Sequence, residues 1–206
     1  MSQAWPDIPF EPWKETCATV HLWTQIVGKY RLACAPWLNH SWHATLYVTA
    51  RGLTTSLIPA GSRSMQFAFD FVDHKLVGSV SDGATKCFAL EPMTVAEFHR
   101  RFLALTDELG VRTKIHDTPN EVSNPVPFAK DTTHAAYDAD AVNRFWRALV
   151  QCDRVLKEFR TGFLGKVSPV HLFWGSFDIF RERARQDSNL RPWFCTPGPV
   201  VLGGGV

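Results

Sequence analysis

The stretch "MQFAFDF", residues 65–71, places an apolar side chain at every second position, Met65, Phe67, Phe69 and Phe71. A period of two points alternate side chains to opposite faces, so this segment predicts a strand with one large aromatic face turned inward. "VDHK" then turns the chain, and Asp82-Gly83 supplies a second tight turn before "ATKCFAL". Upstream, "HATLYVTARG" alternates Trp42, Ala44, Leu46, Val48 and Ala50 against His43, Thr45, Tyr47, Thr49 and Arg51. Arg51-Gly52 reads as its turn into "LTTSLIP". The pattern predicts an antiparallel meander of five to seven strands, and a sheet with one apolar face must be covered by another layer.

Three amphipathic helices can supply that layer. Trp13, Cys17, Val20, Trp23, Val27 and Tyr30 recur every three or four residues and predict a helix near 12–34. His21, Gln25 and Lys29 form a second stripe on it, which reads as a solvated face. Thr94 with Glu97 is a capping box for a helix near 94–109 that Gly110 closes. Asp138 can cap a helix to about 163 whose wide apolar stripe makes it the expected central helix. "VRTKIH" reads as a short strand, residues 117–137 as a long packed or functional loop, and "SPVHLFWGSFDIF" as further strand. The expected class is therefore α+β, a single domain over residues 1–180, with 183–206 a disordered or non-native tail.

Composition bounds the function. The 206 residues, 45% hydrophobic and 13% aromatic, are enough for a full core, and 22 basic against 20 acidic residues leave a net charge of +2 with no basic stripe. That balance argues against nucleic acid as a partner. The N-terminus "MSQAWPDIPFEPW" is not a secretory signal, and no apolar run approaches the ~18 residues of a membrane span. Cysteines 17, 34, 87, 152 and 195 are odd in number and contain no C-x-x-C pair. They predict reduced thiols in a cytoplasmic protein, neither a disulfide framework nor a zinc site.

Candidate chemistry centres on "WLNHSWHATLYVTARG". Asn39, His40, His43, Tyr47 and Arg51, with Trp174 from the later motif, are the expected ligand-binding residues, since aromatic walls with a few convergent polar groups build small-molecule sites. His43 or His171 would be the acid or base, because imidazole titrates nearest neutral pH, and Arg51 would hold an anionic group. The four residues His40, His43, Arg51 and His171 are expected to share one concavity. A metal on His40 and His43, completed by His134 or His171 and a carboxylate such as Asp178, is the less favoured reading. Ser168 and Ser176 lack a nucleophile elbow, and "LGGG" lacks the strand and helix of a dinucleotide fingerprint, so no cofactor is implied. The leading expectation is a small-molecule binder or unassigned enzyme, and the alternative is a non-catalytic interaction or scaffolding domain.

The segments "TVHLWTQIVGKYRLA", "NHSWHATLYVTARGLTTSLIP", "FDFVDH", "HAAYDADAVNRFWRALVQCDRVLKEFR" and "GKVSPVHLFWGSFD" resemble a bacterial family catalogued as domain of unknown function 5996, over residues 5 to about 180. The resemblance implies kinship without an activity, ligand or catalytic residue to carry over. Members of that family continue in ordered-looking chain well beyond "FWGSFD". Here "ARQDSNLRP" is similar instead to a peptide read through a transfer-RNA gene. The resemblance thus implies that a C-terminal portion has been replaced.

Overall fold

Helix α1 (Phe10–Cys34) is the element around which the others are arranged. Val20, Trp23, Ile26, Val27 and Tyr30 are each 1% exposed or less, and from Leu22 to Arg31 every residue is buried. In the computed structural model, which describes residues 5–180 apart from 164 and 166, α1 is followed by a 3-10 turn (Asn39–Ala44), strands β1 (Tyr47–Val48), β2 (Gly52–Thr54), β3 (Ile58–Ala60), β4 (Arg63–Asp70), β5 (Lys75–Val80) and β6 (Thr85–Ala89), helix α2 (Val95–Glu108), a 3-10 turn (Phe128–Lys130), helix α3 (Ala139–Thr161) and the hairpin β7 (His171–Phe173) and β8 (Asp178–Phe180). The predicted tail at 183–206 lies outside the described residues.

The meander forms as its alternation requires. Strands run antiparallel in the order β1-β2-β4-β5-β6, with β3 also on β4, and Met65, Phe67, Phe69 and Phe71 all face inward. Gly52 is needed where β2 meets β4, because a Cβ there would sit 1.9 Å from the Phe69 carbonyl oxygen. The α2 cap is as the capping box predicts: Thr94 Oγ1 accepts from the Glu97 amide at 3.1 Å. Its apolar stripe buries Phe98 and Phe102 against the sheet. Phe98 stacks on Trp23 of α1 with centroids 4.8 Å apart and packs edge-on to Phe88 of β6, so one ring joins both helices and the sheet. Asp138 caps α3 through the Ala141 amide at 3.0 Å.

Four expectations are corrected. Residues 42–44 do not continue a strand, because His40 and Ser41 take left-handed backbone (φ 57° and 58°) and wind the segment into the 3-10 turn. "VRTKIH" has no strand partner and runs as irregular chain. The central helix is α1, with α3 lying outside it: α3 buries only Ala141, Val142, Ala148 and Leu149 and leaves Phe159 61% exposed. The His21, Gln25 and Lys29 stripe is not solvated, since Gln25 is fully buried and Lys29 is 5% exposed.

Phe98→Ala is expected to cost about 3–5 kcal/mol, as aromatic truncations in packed cores do, and denaturant titration measures it. A loss below about 1 kcal/mol would mean that this ring does not join the layers.

Candidate functional site

His40, His43, Tyr47 and His171 of the expected site each have partners close to them in the fold. His43 is buried, and its Nδ1 accepts the Leu38 amide at 3.0 Å, closing the turn that precedes β1. Asn39 and His40 are exposed, and the His40 ring stacks on Trp42 with centroids 5.5 Å apart. Tyr47 lies under the Arg31 guanidinium, 5.2 Å from its ring centroid. The Leu46–Leu172 bridge, with its two backbone hydrogen bonds of 2.9 and 2.8 Å, carries β7 alongside β1. His171 Nδ1 donates to the Pro169 carbonyl at 2.7 Å, which fixes its ring.

Arg51 stands at the far end of β1. Its Nε reaches Asp70 at 2.7 Å and its Nη2 reaches Asp73 at 2.8 Å, so its charge is already answered by two carboxylates. Burial alone would push the Asp70 carboxyl up, but the Arg51 hydrogen bond and the Asp73 and Val72 amides outweigh it and hold that group below its ordinary value. His134 is likewise spent on Asp131, at 2.7 Å. Among the described residues no group of three or more His, Cys, Asp or Glu side chains is placed to hold a metal, and no helix is long and apolar enough to cross a membrane.

Trp174 is the member of the expected set that enters a polar cluster, and its partners come from α1. Gly28 makes the contact possible: a Cβ there would lie 2.2 Å from the indole ring. The indole nitrogen donates to the Ala44 carbonyl, which locks the ring over the helix. One turn back along α1, Gln25 pairs with the backbone of Asn120 as a strand would, donating to its carbonyl and accepting from its amide, both at 2.8 Å. A further turn back, His21 Nε2 lies 3.0 Å from the carbonyls of both Trp174 and Gly175 and donates its proton between them. Phe177 stacks on that imidazole at 5.0 Å.

Lys29 completes the cluster. Its Nζ donates to Asn120 Oδ1 at 2.6 Å and lies 5.7 Å from the Trp174 ring centroid. Among the described residues no carboxylate comes within ion-pair reach of it. Burial therefore pushes the Lys29 ammonium below its ordinary value. It also pushes His21 down, against the opposing pull of the Gly175 and Trp174 carbonyls. Glu121, beside Asn120, is pushed up by burial and by the charge of Asp178, which in turn accepts from the Ser176 hydroxyl. A half-buried base, a cationic amine and a carboxyl of raised affinity for protons thus meet where three chain segments join, and Asn120 and Glu121 open it to solvent. The i, i+4, i+8 spacing of His21, Gln25 and Lys29 was the available signal for this cluster; only the loop and hairpin folded over it reveal that it is buried.

Arg51→Ala is expected to lower the melting temperature slightly at neutral pH, since its ion pairs with Asp70 and Asp73 are solvent-exposed on the arginine side. Because the Asp70 pKa is depressed in the folded state, its stabilisation is present above the ordinary carboxylate range and lost in acid. The melting difference between wild type and Arg51→Ala should therefore shrink as pH falls; a constant gap from neutral to acid pH would remove this ion pair as its cause.

No curated protein and no solved structure matches the chain. A family model described as "Family of unknown function (DUF5996)" matches residues 5–190. Since that match takes in all three helices, the sheet and the hairpin that carries Trp174, the chain belongs to the family of unknown function DUF5996.

Proposed function

We propose that the protein binds a small molecule carrying an anionic group at the junction of α1, the 117–124 loop and the β7–β8 hairpin. The observation that carries this reading is Lys29, a buried ammonium whose partners among the described residues are one amide oxygen and an indole face. Burying a charge without an opposite charge is costly, and a bound anion would supply that opposite charge. Trp174 is the aromatic wall, and Asn120 is the polar group that aims Nζ. His21 and Glu121 give the same junction groups able to exchange protons with a bound molecule. This reading keeps the small-molecule expectation and moves the anion-holding role from Arg51, which Asp70 and Asp73 neutralise, to Lys29. The four described cysteines are all free, which supports a reducing, cytoplasmic setting.

Lys29→Met tests it, because methionine fills similar space without the charge. A panel of small carboxylates and phosphates should raise the melting temperature of the wild-type protein and leave Lys29→Met unmoved. Without ligand, Lys29→Met should melt no lower than wild type, since an uncompensated buried charge has been removed. A variant that melts lower, with no member of the panel shifting the wild type, would make Lys29 a structural donor to Asn120 and nothing more.

A second reading, an interaction domain, is favoured by α3, which exposes Val155 and Phe159 one turn apart at 43% and 61%. It predicts self-association or partner capture through that face, and Phe159→Ser would abolish it in sedimentation experiments.

A further inference from the structure

The junction of α1, the 117–124 loop and the β7–β8 hairpin holds an ammonium and two carboxylates, and among the described residues none of the three has an ion-pair partner. Lys29 is 5% exposed, with Asn120 Oδ1 as its hydrogen-bond acceptor. Glu121 and Asp178 stand near enough to each other that the Asp178 charge adds to burial in pushing the Glu121 carboxyl up. Two like charges brought together raise the energy of the fold, and a cation seated between them relieves it.

The same two segments build both poles. In the loop, Asn120 accepts from Lys29 Nζ at 2.6 Å, and Glu121 is the next residue, its Cα about 3.8 Å further on. In the hairpin, the Trp174 ring lies 5.7 Å from Nζ, and Asp178, four residues on, begins β8. Glu121 takes left-handed backbone, φ 54°, and its Oε1 lies against Gly175, where a Cβ would come within 2.8 Å of it. The backbone at Gly175 is not itself left-handed, so the missing side chain serves this close approach. His21 Nε2, 3.0 Å from the Gly175 carbonyl, fixes the hairpin there. The acid pair is thus anchored to the segments that hold the ammonium, yet does not pair with it.

We infer that the junction takes a dipolar ligand of the amino-carboxylate class, with its carboxylate on Lys29 and its ammonium between Glu121 and Asp178. The inference rests on the reading of Lys29 as the holder of an anion and adds the opposite pole. An ammonium carries three N–H donors. Glu121 and Asp178 accept two of them, and Ser176, whose hydroxyl donates to Asp178, offers its oxygen to the third. A ligand with the carboxylate alone answers Lys29 and brings a further negative charge toward the acid pair. Selectivity for the amine therefore comes from repulsion of the wrong ligand as well as attraction of the right one.

The test titrates the full chain with pairs of compounds that differ only in the amine: glycine and acetate, β-alanine and propionate, 4-aminobutyrate and butyrate. NMR follows the Asn120 side-chain amide and the Trp174 indole. In at least one pair the amine-bearing member should bind about tenfold more tightly. Glu121→Gln, at an exposed position, should abolish that preference while the plain carboxylates bind at least as tightly as before. Carboxylates that bind with no preference for the amine would overturn this inference and leave Lys29 as an anion holder. A preference that survives Glu121→Gln and Asp178→Asn together would also overturn it, because the ammonium would then be held elsewhere. Binding by none of the six compounds would end it too, and the reading of Lys29 falls with it only if phosphates also fail to bind.

Discussion

A helix buried on nearly every side cannot leave its polar residues to water, and α1 is such a helix. Its apolar positions meet the sheet and α2 through Trp23, Ile26 and Tyr30, while Gln25 and Lys29 are enclosed as well. Every hydrogen-bonding group on the polar stripe must then find a partner in the chain or in a ligand. Irregular segments meet this demand: Asn120 serves Gln25 with its backbone and Lys29 with its side chain, and the carbonyls of Trp174 and Gly175 serve His21. The long loop after α2 carries the Asn120 partners of Gln25 and Lys29.

The same constraint separates structural from unsatisfied groups. Gln25 has each side of its amide matched, and His21 has two acceptors for one proton. Among the described residues Lys29 is matched in hydrogen bonding by Asn120 but not in charge. Arg31, two residues on, resembles it: buried, donating to the Thr45 carbonyl and lying over Tyr47, again with burial pushing its guanidinium down. Both cations lie within three residues of Gly28, whose missing side chain lets Trp174 close over the helix.

Much of the architecture is legible in the residues. The period of two at Met65–Phe71, the turns at 72–75 and 82–83, and the caps Thr94 and Asp138 are local signals with local causes, and each element forms near its predicted bounds. What local signals do not carry is which face of a helix is covered, because that depends on chain far away in sequence. His21, Gln25 and Lys29 have the spacing of a solvated stripe, and only contacts across 91 to 154 residues cover it. The histidines of "NHSWH" show the converse. Their polar type suggests a ligand face, yet the left-handed backbone at His40 and Ser41 turns the segment into a compact plug that spends His43 on its own chain. Arg51 is legible as an anion holder, and the anions it holds are Asp70 and Asp73.

The charge state of Lys29 is the most direct measure of this account. Heteronuclear NMR of the lysine side chains, titrated with pH, follows its ammonium separately from the exposed ones. The account predicts a midpoint below the ordinary lysine value, since burial without a carboxylate disfavours the charged form, and an upward move when a bound anion supplies the missing charge. A midpoint at the ordinary value that no carboxylate or phosphate displaces would contradict it.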